Sequence, residues 1–210
     1  MFVQVFPSGP FSTNAYVVAC AETREAAIVD PAPGSSWEIQ QYADLHALKI
    51  KKILLTHSHW DHIADVAKLK QHYGVPVYVH VLDIANLREP GADGLPCWLD
   101  FPGIEPDVFL EEAMIVPLGN LHFHVLHSPG HSPGSICFYE PLHHVLFSGD
   151  TLFKGTYGNT SFPTSQPEFM PRSLNKLAQL PPETRVLPGH GPETTIGDEA
   201  VWILKKSFDF

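Results

Sequence analysis

The chain opens with neither a basic start nor a long apolar run. MFVQVFPSGPF lacks both features of a secretory leader, so no export signal is expected and the cytoplasm is the expected location. No apolar stretch is long enough to span a bilayer, and no membrane association is expected. Cysteine is scarce. Cys20, Cys97 and Cys137 are odd in number and far apart, which argues against a disulfide framework and for reduced thiols used as small packing residues. Positive charge is also short: lysine and arginine total 13 against 23 acidic residues, the formal net charge is −10, and no basic stripe is present. A nucleic-acid partner, which needs such a stripe to neutralise phosphates, is excluded. Only 17% of residues are charged while 44% are hydrophobic, which excludes a disordered chain and allows a substantial core. The length suits one domain spanning residues 1–210.

What the chain has in excess is histidine, with 13 copies, as many as lysine and arginine together. Imidazole is the commonest metal ligand, so the placement of these residues matters. Short apolar runs bounded by turn residues predict strands at 2–6, 14–19 and 26–29. A helix is predicted over 36–46, with Ser36 as its N-cap and Trp37, Ile39 and Ala43 on one side. A strand at 52–55 leads to Thr56, and a helix over 62–73, with Ile63, Val66, Ala67 and Leu69 at helical spacing, stops at Gly74. A strand follows at 77–79. Residues 88–107 are rich in Pro, Gly and Asp and read as a long irregular loop of the kind that is functional or mobile. Trp98 and Phe101 within it read as core residues tucked beneath the loop or, if the loop covers a site, as an apolar wall. Strands are predicted at 114–116, 121–126, 135–138, 144–147 and 185–187, with helices within 168–179 and over 198–206. The class is α/β. Two strand-rich halves with associated helices suggest two sheets packed face to face with helices outside.

Four potential ligands, His57, His59, Asp61 and His62, fall within Thr56-His57-Ser58-His59-Trp60-Asp61-His62, directly after an apolar strand. Alternate side chains at a strand end project to one side, so His57 and His59 can converge on one ion. Asp61 and His62 lie where the chain turns into a helix and can face a second. Imidazole with carboxylate and no thiolate suits zinc, iron or manganese rather than a structural Cys-type site. Three further segments share one grammar: His131 in SPGHSPGS, Asp150 in FSGDT and His190 in LPGHGP each follow an apolar strand and a glycine, which lets the backbone turn sharply. His46, His72, His80, His122, His124, His127, His143 and His144 read as surface or internally satisfied residues, with His127 along a strand or behind a ligand. Asp30, in Ile-Val-Asp-Pro, reads first as a turn residue closing a strand and second as a support for a ligand.

Taken together, Thr13-Asn14-Ala15-Tyr16, THSHWDHI, SPGHSPGS, FSGDTLF and LPGHGPET resemble the metallo-β-lactamase superfamily, and within it the glyoxalase II-like hydrolases, over essentially the whole chain. The resemblance implies a four-layer αββα sandwich with two divalent metal ions at one edge of the sheets, zinc first with iron or manganese as alternatives. Carried over motif by motif, it places one ion on His57, His59 and His131, the other on Asp61, His62 and His190, and Asp150 between them. It implies hydrolysis in which water between two cations is deprotonated near neutral pH, the substrate carbonyl is polarised, and Asp61 acts catalytically by orienting the nucleophile. A small acyl-thioester such as the hydroxyacylglutathione S-lactoylglutathione is the expected substrate, because a leaving thiolate needs little protonation.

The chain departs from glyoxalase II in ending soon after His190, where that family carries a helical glutathione-binding region. Asn159 and Ser161 replace residues that related proteins use near the substrate, which removes a charged partner for a glutathione carboxylate. Lys154 and Tyr157 could compensate, although both read as solvated surface. The same resemblance leaves a mononuclear iron persulfide dioxygenase and a phosphodiesterase as alternatives. A β-lactam substrate is disfavoured by His62 and by the missing export signal.

Overall fold

A computed structural model describes residues 1–205. Twelve strands form two sheets of six. The first sheet runs in chain order through β1 (Phe2–Ser8), β2 (Thr13–Ala19), β3 (Glu25–Val29), β4 (Lys49–Leu54), β5 (Val77–His80) and β6 (Val108–Leu110). The second comprises β7 (Ile115–Leu118), β8 (Leu121–His127), β9 (Ile136–Glu140), β10 (Val145–Gly149), β11 (Arg185–Pro188) and β12 (Thr194–Thr195). Neighbours are antiparallel except β3 through β6 and the β10–β11 pair. Parallel neighbours need crossovers, and helices supply most of them. These are α1 (Ser36–Leu45), α2 (Trp60–Ile63), α3 (Val66–Tyr73), α4 (Ile84–Arg88) and, in the second half, α5 (Met170–Leu177); α6 (Ile196–Ile203) follows β12.

Alternation along the strands sorts side chains into three cores, because successive residues point to opposite faces of a sheet. On β2 and β3, Ala15, Val17, Ala26 and Ile28 face the α1 and α3 layer, where Ile39, Ala43, Val66 and Leu69 meet them. Their neighbours Tyr16, Val18, Ala27 and Val29 face the second sheet and pack with Phe123, Phe138 and Phe147. Cys137, Tyr139, Leu146 and Val186 project to the far side, against Met170, Leu174, Leu177 and Ile203 of α5 and α6. Helix, sheet, sheet, helix is the αββα arrangement expected from the sequence.

Several local expectations are corrected. The helix anticipated over 62–73 is two helices, α2 and α3, separated at Ala64 and Asp65. Asp65 explains the break: its amide donates to the Pro31 carbonyl, and its carboxylate accepts from the Ser36 amide at 2.9 Å and from Lys68 at 2.6 Å. The cap of α1 therefore comes from Asp65 rather than from the Ser36 hydroxyl, and Trp37, expected on the inner face, is exposed. Helix α4 and strands β6 and β12 had no periodicity to announce them, and Met114 precedes β7 instead of opening it. The last predicted helix is α6, which begins earlier at Ile196; Lys206 lies outside the described residues.

All three cysteines are free thiols, with Cys20 and Cys137 buried. No helix among the described residues is long and apolar enough to cross a membrane.

The sheets are joined at one edge by a stack of His80, ending β5, on His127, ending β8, with ring centroids 4.2 Å apart. Burial and the neighbouring His127 push the His80 imidazole down to about 4, Glu112 opposing. A histidine depressed in the fold binds its proton more readily when unfolded, so its contribution to stability is present above about 6.5 and is lost as pH falls toward 4. Asn at this position keeps an acceptor for the Leu82 amide but cannot titrate. Urea unfolding of wild type and His80→Asn at pH 7 and pH 5 should therefore show wild type losing more stability than the variant, by on the order of 1–2 kcal/mol. Parallel losses would refute the assignment.

Candidate metal centre

The polar side chains of highest interest lie at the carboxyl ends of strands, where loops can be shaped without disturbing the sheets. The segment after β4 carries His57, His59, Asp61 and His62; the loop between β8 and β9 carries His131; the end of β10 carries Asp150; the end of β11 carries His190. Four of the seven thus come from the first sheet and three from the second. All of these side chains are buried except that of His190, which is partly exposed.

The structure brings all seven together. The ligand atoms of His57, His59 and His131 lie within 4.8 Å of one another, as do those of Asp61, His62 and His190. Asp150 stands between the two groups. Its Oδ2 is 3.4 Å from His131 Nε2 and 3.5 Å from His190 Nε2, and its Oδ1 is 3.4 Å from His62 Nε2. Asp61 Oδ2 is 3.3 Å from His190 Nε2 and 3.5 Å from His62 Nε2. Donor atoms about 2.1 Å from a tetrahedral ion stand about 3.4 Å apart, so these spacings match a coordination sphere. His57 Nε2, His131 Nε2 and Asp150 Oδ1 are buried with no hydrogen-bond partner among the described residues. Orphaned buried donors and acceptors are costly, and a cation is the partner that satisfies lone pairs converging from imidazoles and carboxylates. The donor set fits two divalent cations.

The outward sides of the rings are held. His57 Nδ1 meets Thr56 Oγ1 at 3.1 Å, His62 Nδ1 meets Asp30 Oδ2 at 3.1 Å, His131 Nδ1 meets the Asn159 carbonyl at 2.7 Å, and His190 Nδ1 meets the Phe11 carbonyl at 3.2 Å. An acceptor at Nδ1 fixes the proton there and leaves the Nε2 lone pair facing inward. Asp30 is thus more than a turn residue. It also accepts from the Thr56 amide at 2.8 Å and hydroxyl at 2.6 Å, so one carboxylate braces two ligand positions. Asn159 acts through its backbone rather than its side chain.

The protonation pattern separates the two triads. Burial, and then the neighbouring imidazoles, hold His57 and His59 well below the usual histidine range, which keeps both rings neutral. Burial also opposes charge on His62, but Asp61, Asp150 and Asp30 outweigh it and lift His62 to about 10. Asp61 is held well below the ordinary carboxylate range despite burial, by His62, His190 and Thr13. Carboxylates around the second triad thus favour positive charge there.

Residues beyond the seven, three of them from the Thr13-Asn14-Ala15-Tyr16 segment, do much of the positioning. Thr13 Oγ1 donates to Asp61 Oδ2 at 2.6 Å. Asn14 Nδ2 donates to the Pro188 and Gly191 carbonyls at 3.0 and 2.9 Å, and Tyr16 Oη to Pro188 at 2.7 Å, so β2 of one sheet grips the His190 loop of the other. Buried Asp83 accepts from the Ser58 amide, the Ser132 hydroxyl and the Gly134 amide at 2.9, 2.9 and 2.6 Å, tying the His57–His62 segment to the His131 loop. Of the histidines read as non-ligands, His127 supports that loop through the Pro133 carbonyl at 2.9 Å, and none joins the cluster.

The rim is aromatic. Phe162 lies edge-on to the rings of His59 and His131, Phe153 to His190, and Phe11 contacts both Trp60 and Trp98. Trp98 is 67% exposed, so it is not the core residue first expected, whereas Phe101 does pack against the helix-side core. Lys154 is exposed as expected. Tyr157 is not solvated surface but packs on the outer core beside Trp202.

Glycine before a ligand has two separate causes. Gly149 has φ +49°, and Gly189 is a close approach: a Cβ there would lie 2.1 Å from Asp150 Oδ1. Gly189→Ala should keep native far-UV circular dichroism yet bind metal at least about 10-fold more weakly, as displaced ligands do. Asp30→Asn should cost a similar factor by removing the charge behind His62. Wild-type affinity in both variants, read by chelator competition, would contradict the geometry.

The family model described as the metallo-beta-lactamase superfamily matches residues 8–190. The hydroxyacylglutathione hydrolase GloC of Haemophilus influenzae is 36% identical over 206 residues, covering 95% of each chain. Among solved structures, TTHA1623 in a di-iron-bound form is 41% identical with a TM-score of 0.83, covering 94% of this chain and 96% of that one. The BLEG-1 B3 metallo-beta-lactamase is 35% identical with a TM-score of 0.86, covering 96% and 97%.

Proposed function

The chain belongs to the metallo-beta-lactamase superfamily, and from that premise we propose that it is a binuclear metal-dependent hydrolase of small acyl-thioesters, such as a hydroxyacylglutathione. The observation that carries the reading is the pair of three-residue donor sets sharing Asp150, complete in every member. His57, His59 and His131 would hold one ion and Asp61, His62 and His190 the other, with Asp150 between. When bound, the two cations would supply electrophilic polarisation of the carbonyl and a lowered pKa for water.

The chain's own residues do the rest. Thr13 turns Asp61 Oδ2 into the centre, where it accepts a hydrogen bond from the attacking water and orients it. Asp30 and the Asn159 carbonyl keep the His62 and His131 rings from rotating as charge develops. Phe162, Phe153, Phe11 and Trp98 line the approach, exclude bulk water and receive the hydrocarbon part of a substrate. A thiolate, with a pKa of about 8.5, departs without a dedicated proton donor. GloC, described as a hydroxyacylglutathione hydrolase, supports this substrate class; the di-iron-bound TTHA1623 supports two metals and brings iron in beside zinc and manganese.

A one-iron persulfide dioxygenase of the same fold is the alternative; donors for both sites are present, and metal content with oxygen uptake decides between the two. A β-lactam is the second substrate class, favoured by the 35% identity with BLEG-1.

Protein purified without added metal should contain about two metals per chain and release thiol from S-lactoylglutathione faster than it opens a chromogenic cephalosporin. One iron per chain, oxygen uptake with a persulfide and no thiol release would overturn the proposal. Asp61→Ala should lower kcat on the thioester by about 10²–10⁴-fold, and Trp98→Ala should raise KM several-fold with kcat nearly unchanged, as loss of uniform binding does.

A further inference from the structure

Four of the five imidazoles in the cluster have an acceptor behind them: Thr56, Asp30, Asn159 and Phe11 serve His57, His62, His131 and His190. His59 has none at hydrogen-bond distance. Its Nε2 is buried without a hydrogen-bond partner among the described residues, and 3.9 Å from it lies Asp93 Oδ2, equally orphaned. Both side chains are more than nine-tenths buried. Two complementary orphans facing each other in an interior are a pair and not a coincidence, because each alone would carry the full cost of desolvation.

Asp93 is held in place for this. It belongs to the Pro- and Gly-rich segment 88–107, where an irregular backbone would otherwise leave it free. Its Oδ1 accepts from the Leu95 amide at 2.9 Å, which aims the other oxygen inward. Asn86 Oδ1 accepts from the Gly91 and Asp93 amides at 2.9 and 3.3 Å, while Asn86 Nδ2 donates to the Ser58 carbonyl. Ser58 lies between His57 and His59, so Asn86 latches the irregular segment directly to the ligand segment. A cavity of about 70 Å³ lined by Ser58, His59, Asn86, Asp93 and Ser132 adjoins the gap. Leu82, Ala85, Ala92 and Pro133 make much of its lining apolar, with His59 and Asp93 among its polar members, and it has room for a water between those two.

We infer that Asp93 is a positioning residue of the metal centre, accepting the Nε2 proton of His59 directly or across one water and so presenting the Nδ1 lone pair of His59 to the first ion. The role acts through His59 and not on substrate. It completes the set of outward partners, and it makes residues 88–107 part of the centre's support: Asp93 stands behind one ligand while Trp98 stands at the rim. The inference rests on the ligand assignment proposed above and is independent of the substrate.

The test uses Asp93→Ala and Asp93→Asn, with metal content, affinity by chelator competition and the visible spectrum of the cobalt-substituted protein. Asp93→Ala should bind one of its two ions about 10–100-fold more weakly, as loss of a ligand's outer partner does, and shift the cobalt bands while the other ion stays at wild-type affinity. Asp93→Asn retains an acceptor and should recover most of that loss. Metal-free thermal stability should be nearly the same in all three proteins. Unchanged affinity and spectrum in Asp93→Ala overturn the inference, as does equal loss of both ions together with a lowered metal-free Tm, which would mark a purely structural loop residue. A wild-type chain that binds no metal removes the ligand assignment and this inference together; two ions in wild type with no thiol release removes only the substrate reading.

Discussion

An imidazole that serves a cation must be bare on one nitrogen and satisfied on the other. That two-ended requirement organises this molecule. The inward ends meet around Asp150, and the outward ends must each find an acceptor in a buried, low-dielectric surround where a missing partner is expensive. The acceptors are supplied by parts of the chain far apart in sequence: the end of β3 gives Asp30, the loop after β10 gives the Asn159 carbonyl, and the turn before β2 gives the Phe11 carbonyl. The sandwich can be understood as the scaffold that brings these outward partners to one edge. Asp83, spanning the two ligand loops, and Asn14 with Tyr16, gripping the loop of the opposite sheet, are the ties that keep that edge closed.

Much of this was legible before any coordinates. Short apolar runs bounded by turn residues marked most of the strands, and the αββα class followed from them together with the family resemblance. The HxHxDH segment and the three glycine-preceded candidates, His131, Asp150 and His190, were legible as a group because they are dense or follow one local grammar, and the structure draws all seven together. The outward partners were not legible. A backbone carbonyl carries no residue identity, so Asn159 was weighed for a side chain while its peptide oxygen holds His131. Asp83 and Asp93 sit in segments with no motif, and Thr13, although it opens the Thr13-Asn14-Ala15-Tyr16 segment, carries no role that its sequence alone assigns; the importance of all three arises from distances across the fold.

The expectations that the structure overturns have separate physical causes. Helix α4 and strand β6 flank the segment rich in Pro and Gly, whose composition masked the short regular pieces at its borders. The break between α2 and α3 is a tertiary effect: Asp65 is drawn to the start of α1, and no local propensity records that attraction. Trp98 was misplaced because a large apolar residue is usually interior, yet here it packs on Phe11 and Trp60 at an open rim.

The seven clustered residues extend from His57 to His190, with the first four on one sheet's loop and the last three on the other's. During synthesis the early half emerges long before its complement. His57, His59, Asp61 and His62 can offer only half a cage until β11 has been made and β2 has seized the turn that follows it. The centre is therefore complete only when both sheets have met, and a chain that has not yet closed them presents scattered imidazoles instead of one converging cluster.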